Sequence, residues 1–135
     1  RYLHPRPRLA AAPAVRRHAT AAMDVSDGLA GDLAKMLGAG RTARVAVADV
    51  PLSGAARSAC AAEPALIETV LTGGDDYEIL CTVAPERLED LRAEAAAAGI
   101  AVAAIGTVTS GDGPPRFEMR DGAERVFAAG AFSHF

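Results

Sequence analysis

Glycine and proline turns cut this chain into short segments that alternate between strand and helix patterns, and that alternation limits the folds open to it. Thr20 to Asp24 reads as a small, largely apolar strand running into the turn Val25-Ser26-Asp27-Gly28. From Gly28 to Leu37, the residues Leu29, Leu33, Met36 and Leu37 fall at helical spacing. Ser26 or Asp27 suits the N-cap of that helix, and Gly38-Ala39-Gly40 ends it. Ala43 to Val50 alternates as a strand does until Pro51 stops it. Ser53 to Ala62 and Pro64 to Leu71 predict two helices, with Pro64 at the first position of the second. Tyr77 to Val83 is rich in β-forming residues, Pro85 to Ala98 predicts a helix closed by Gly99, and Ile100 to Val108 predicts another strand. After the loop Ser110 to Pro115, Phe117 to Arg120 and Glu124 to Phe127 flank Asp121-Gly122 as a hairpin. The expected fold is α+β: a mixed β-sheet covered by helices, with the late hairpin making the sheet mixed.

With 135 residues, half of them apolar and 23% charged, the chain has the size and balance of one folded domain. Pro5, Pro7 and Pro13 favour an extended start, so residues 1–18 are expected to form an interdomain linker arm and a short helix around Ala14 to His18. Residues 19–135 then form the α/β domain. Residues 1–20 hold five arginines and no acid, which leaves 9 basic and 17 acidic residues in 21–135, a net of −8. An acidic body argues against nucleic acid as the ligand. The arginine-rich arm suits a solvated linker better than a phosphate contact. No run approaches the roughly 20 apolar residues of a membrane span, and the first residues lack a signal-peptide core, so the cytoplasm is the expected location. Cys60 and Cys81 are expected to be reduced and buried, and His4, His18 and His134 show no metal-ligand spacing.

Two acidic turns carry the candidate chemistry. Met23 to Leu29 places Asp24, Ser26 and Asp27 at a strand end directly ahead of a helix N-terminus. That terminus favours phosphate, whereas the carboxylates repel it, and a Mg²⁺ ion between them would remove the conflict. Spacing alone fits a plainer account better: Ser26 or Asp27 caps the helix and Asp24 is a surface acid. The second turn, Gly73-Gly74-Asp75-Asp76-Tyr77-Glu78, joins a glycine pair to three acids. Such a turn could hold a cation or an amine-bearing substrate, though an ordinary turn with a solvated acidic edge fits the pattern better. Asp32, in the first turn of its helix, complements the helix dipole without a catalytic role. No serine, cysteine or carboxylate partners a histidine at recognisable spacing, so nucleophilic catalysis is not indicated.

Taken together, several segments resemble thiamine-monophosphate kinases. They are Arg1 to Leu9, Ala22 to Leu29, Leu52-Ser53 after Pro51, Gly73 to Leu80, Ile105-Gly106 and His134-Phe135, and their order and spacing agree along essentially the whole chain. That family belongs to a superfamily of two-domain ATP-using enzymes with aminoimidazole ribonucleotide synthetase, selenophosphate synthetase and a hydrogenase-maturation protein. The resemblance implies transfer of the γ-phosphoryl of ATP to thiamine monophosphate, giving thiamine diphosphate and ADP, with Mg²⁺. It implies Asp24 and Asp27 as Mg²⁺ ligands, Ser26 as an ATP contact, and Asp75 as a substrate contact in a place where the family usually has glutamate. The family's substrate-side aromatic aligns with Ala129, so Phe127 or Phe132 is expected to replace it. It also implies that an amino-terminal domain, absent here, supplies much of the ATP site and a homodimer interface, so that this chain alone is inactive. Alternatives from other classes are a non-catalytic nucleotide- or metal-binding module and the equivalent domain of another superfamily enzyme.

Overall fold

The computed structural model describes residues 7–74 and 77–127. A 3₁₀ turn at Leu9–Ala11 leads into α1 (Ala12–His18), followed by β1 (Ala19–Val25), α2 (Leu29–Leu37), β2 (Arg41–Ala46), α3 (Gly54–Ala62) and α4 (Leu66–Thr72). Then come β3 (Glu78–Val83), α5 (Leu88–Ala97), β4 (Gly106–Ser110), β5 (Arg116–Glu118) and β6 (Glu124–Arg125). The α+β expectation holds, with the strands divided between two sheets. β1 and β3 form an antiparallel pair, and the other four lie in the order β4-β2-β5-β6. The larger sheet is mixed because β2 runs antiparallel to β4 but parallel to β5.

Helix α2 ties these layers together. Leu29, Leu33 and Leu37, one stripe at four-residue spacing, are all buried. They join Val25 and Leu80 from the two-stranded sheet, Val45 and Phe117 from the larger one, and Leu71 from α4 in one apolar core. Phe127 packs edge-on to Phe117 in the same core, with ring centroids 5.0 Å apart.

Four sequence expectations are corrected by the structure, two of them by backbone partners the pattern did not show. The strand expected to reach Val50 ends at Ala46, whose N–H donates to the Ile105 carbonyl; Val47–Asp49 then forms a 3₁₀ turn with Val47 buried. The strand expected from Ile100 begins only at Gly106. Ile100 instead donates its N–H to the Ala95 carbonyl while Gly99, at φ +74°, donates to Ala96, so the start of that apolar run closes α5. Pro64 stands in a turn ahead of α4 and not at its first position. The cysteines are free but half-buried, and burial pushes the Cys81 thiol up. The hairpin turn forms as expected: Gly122, at φ +81°, donates to the Met119 carbonyl, and the flanking strands are shorter than the pattern suggested.

The segment containing α1 docks on α5 through a buried histidine. Arg87 Nη2 lies 3.0 Å from His18 Nδ1. Arginine can only donate, so Nδ1 accepts and the ring proton sits on Nε2. Nε2 lies 3.0 Å from Glu94 Oε1 without the alignment of a linear hydrogen bond, and Arg17 Nη1 reaches the same oxygen at 2.6 Å. His18 first, and Arg17 after it, hold the Glu94 carboxyl below its usual range. This contribution is therefore present above the ordinary glutamate pKa and lost as pH falls through the lowered folded-state value. Glu94→Gln should flatten the acid limb of stability, measured as urea midpoint against pH; an acid limb identical to wild type would remove Glu94 from the acid response.

Candidate functional site: two acidic turns joined at one sheet end

The pairing of β1 with β3 decides where the two acidic turns lie. Val25, the last residue of β1, is in register with Glu78, the first of β3. The Ser26-Asp27-Gly28 turn leaves the ladder at the same end where the second turn enters it. Tyr77 N–H extends the ladder by donating to the Val25 carbonyl at 2.9 Å. Tyr77 adopts φ +51°, a left-handed conformation that costs a non-glycine residue about 1–2 kcal/mol, and its side chain is half exposed.

Glycines let the turns touch backbone to backbone. A Cβ on Gly28, which sits at φ +109°, would stand 2.6 Å from the Thr72 carbonyl oxygen and 2.9 Å from that of Gly73. A Cβ on Gly74 would collide with the Ser26 carbonyl oxygen. Of the second turn's two glycines, Gly74 is the one the first turn approaches; a Cβ on Gly73 would meet the Thr69 carbonyl of its own helix.

Neither Ser26 nor Asp27 caps α2, contrary to expectation. The N-cap is Gly28, with no side-chain bond. Asp32 reaches back from inside the helix instead. Its carboxylate is 1% exposed, and Oδ2 accepts the N–H groups of Ser26 and Asp27, both at 2.9 Å. Oδ1 accepts from Lys35 Nζ at 3.1 Å, and the same ammonium donates to Asp27 Oδ2 at 2.6 Å. A buried carboxylate is tolerated only when its oxygens are satisfied, and here two amides and a cation do so. Asp27 first, then Asp32, hold the Lys35 ammonium above its usual range.

The remaining candidates fall in different places. Asp24 is exposed on β1, opposite Ile79 in register. Ser26 Oγ donates to Asp27 Oδ1 at a long 3.4 Å. Phe127 is 8% exposed and spends its ring on the core contact with Phe117. Asp75 and Phe132 lie outside the described residues. Arg8 corrects the solvated-arm reading: Nε and Nη2 grip Glu78 Oε2 and Oε1 at 3.0 and 2.8 Å, a fork that fixes the arm to the first residue of β3. Sequence reading gave Asp32 only a helix-dipole role and passed over Lys35 and the Arg8–Glu78 pair, although Asp32 and Lys35 stand at i,i+3 spacing.

Asp24, Asp27 and Ser26 offer only hard oxygen donors. Among the described residues no set of three or more His, Cys, Asp or Glu side chains converges. Single carboxylate oxygens suit Mg²⁺, which takes them from one or two acids, retains several waters and adds phosphate oxygens. A shallow depression elsewhere, on the larger sheet beside Arg44 and Arg116, brings no comparable chemistry, since Glu124 engages both arginines at 2.8 and 3.0 Å.

Residues 3–115 match the family model described as AIR synthase related protein, C-terminal domain. A thiamine-monophosphate kinase of Caulobacter vibrioides is 42% identical over 117 residues, 84% of this chain and 33% of the relative. The crystal structure of thiamine-monophosphate kinase from Stenotrophomonas maltophilia superposes with a TM-score of 0.72 at 30% identity, covering 87% of this chain and 36% of that one. AaThiL complexed with AMPPCP and TMP superposes at 0.65 with 28% identity, over 90% of this chain and 35% of that one. The chain thus spans about a third of the length of these relatives.

The backbone contact between the turns is open to direct test. Gly74→Ala should cost about 1–3 kcal/mol of stability, the usual range for forcing extra volume into a packed site. Gly54→Ala, where an added Cβ meets nothing within 4 Å, should stay within about 1 kcal/mol of wild type. Equal urea midpoints for the two variants would contradict the packing described.

Proposed function

This chain belongs to the AIR synthase related proteins, as their C-terminal domain, and from that premise we propose that it is the carboxy-terminal part of a thiamine-monophosphate kinase. The reaction moves the γ-phosphoryl of ATP to the phosphate of thiamine monophosphate, releasing ADP and thiamine diphosphate. One observation carries the reading: the two turns quoted for the resemblance, far apart in sequence, meet backbone to backbone at one end of the β1–β3 ladder. The solved relative holding the ATP analogue AMPPCP together with TMP supports the choice of substrates.

Phosphoryl transfer asks little covalent chemistry of a protein; it asks for positioning and charge neutralisation. Asp24 and Asp27 hold Mg²⁺, and Ser26 contacts ATP. The bound ion supplies the positive charge that lets phosphate oxygens lie beside these carboxylates. Asp32 keeps the Ser26 and Asp27 amides in one orientation, so the turn is set before substrate arrives. Asp75 contacts thiamine monophosphate from the second turn. The aromatic contact goes to Phe132, because Phe127 is committed to the core. An amino-terminal domain preceding residues 1–18 completes the ATP site and pairs the protein as a homodimer, so the 135-residue chain alone lacks turnover.

The test is transfer of labelled phosphate from ATP to thiamine monophosphate with Mg²⁺. The full-length protein should catalyse it, and the chain alone should not rise above background. Asp27→Asn should lose on the order of 100-fold or more, the scale for deleting one pre-set charge-stabilising group. Full activity in Asp27→Asn would remove that residue from the site, and a full-length protein inactive on this substrate would overturn the kinase reading.

A further inference from the structure

Lys35 is a half-exposed lysine of α2 that engages two carboxylates at once. Its ammonium bridges Asp27 Oδ2 and Asp32 Oδ1, and Asp32 is itself immobilised by burial and by two backbone amides. The bridge therefore has one rigid anchor, and it holds one oxygen of Asp27 in a fixed place. We propose that Lys35 determines cation selectivity at the first acidic turn, by engaging one oxygen of Asp27 so that this carboxylate can offer a metal ion one oxygen at most. The inference rests on the Mg²⁺ reading of that turn and adds to it the reason a small ion is preferred.

The chemistry follows from coordination number. Mg²⁺ takes six ligands at 2.0–2.1 Å and accepts single carboxylate oxygens with water completing its shell. Ca²⁺ takes six to eight ligands at 2.3–2.6 Å and gains from bidentate carboxylates. With Asp27 Oδ2 held at 2.6 Å by Lys35, bidentate chelation is closed and the larger ion loses a ligand that the smaller one does not need. Replacing Lys35 by a neutral side chain has two effects. Removing a positive charge strengthens both cations alike. Releasing Oδ2 helps only the ion that can use it. The ratio of the two affinities therefore isolates denticity from simple electrostatics.

The experiment uses the full-length protein and Mn²⁺ as a paramagnetic probe, followed by electron paramagnetic resonance. The Mn²⁺ signal lost in Asp27→Asn defines this site, and Mg²⁺ and Ca²⁺ are titrated against it. Lys35→Met should shift the Ca²⁺ to Mg²⁺ affinity ratio toward Ca²⁺ by about tenfold, the worth of one charge-assisted ligand contact. Lys35→Arg, which keeps the charge and the donors, should stay close to wild type. An unchanged ratio in Lys35→Met, with Asp27→Asn still abolishing the signal, would overturn the selectivity role alone. Mn²⁺ binding untouched by Asp27→Asn would overturn the metal reading beneath it.

Discussion

Everything at the paired turns depends on the antiparallel ladder between β1 and β3. Its register sets Val25 opposite Glu78, and from that single alignment the two acidic loops must emerge side by side. The ladder alone would leave two like-charged loops free to splay apart. Backbone contact through Gly28 and Gly74, and the Tyr77 to Val25 hydrogen bond, keep them closed. Strain accepted at Tyr77 fits this picture, since a left-handed non-glycine residue persists only where its neighbours over-determine it.

Electrostatics is managed from inside the fold. Asp32 is a buried carboxylate whose function is to orient two amides, and Lys35 balances it while holding Asp27. Arg8 plays the corresponding part on the other turn by gripping Glu78 with both arms of its guanidinium. Among the described residues, Lys35 of α2 thus steadies the first acidic turn and Arg8, ahead of α1, the second. From Arg8 to His18 the chain is part of the domain's packing, as the burial of His18 beside Glu94 of α5 also shows.

The parts of this structure visible in the sequence are those governed by local rules. The leucine stripe and Gly38 stop of α2, the glycine turn of the hairpin, and the two acidic turns follow from spacing and backbone preference. The misread parts are governed by partners distant in the chain or by the backbone. Ile100 looked like a strand residue because its apolar side chain cannot reveal that its N–H closes α5. Asp32 looked like a dipole-compensating acid and no more because its partners are amides, which every residue but proline carries. Phe127 looked available to a substrate because the hairpin pattern brings it near Phe117 without showing that both rings turn into the core. Arg8 looked solvated because Glu78 lies seventy positions away.

The central claim is that the two turns meet as one surface with the cation held on the first, and paramagnetic broadening of amide resonances by sub-stoichiometric Mn²⁺ tests it most directly. The amides of Ser26, Asp27, Gly73 and Gly74 should broaden together. Gly111, tied to Gly40 beyond the far end of α2, should broaden far less, since a nine-residue helix separates the two regions by about 13 Å. Broadening confined to one turn, or spread evenly over the chain, would contradict the account.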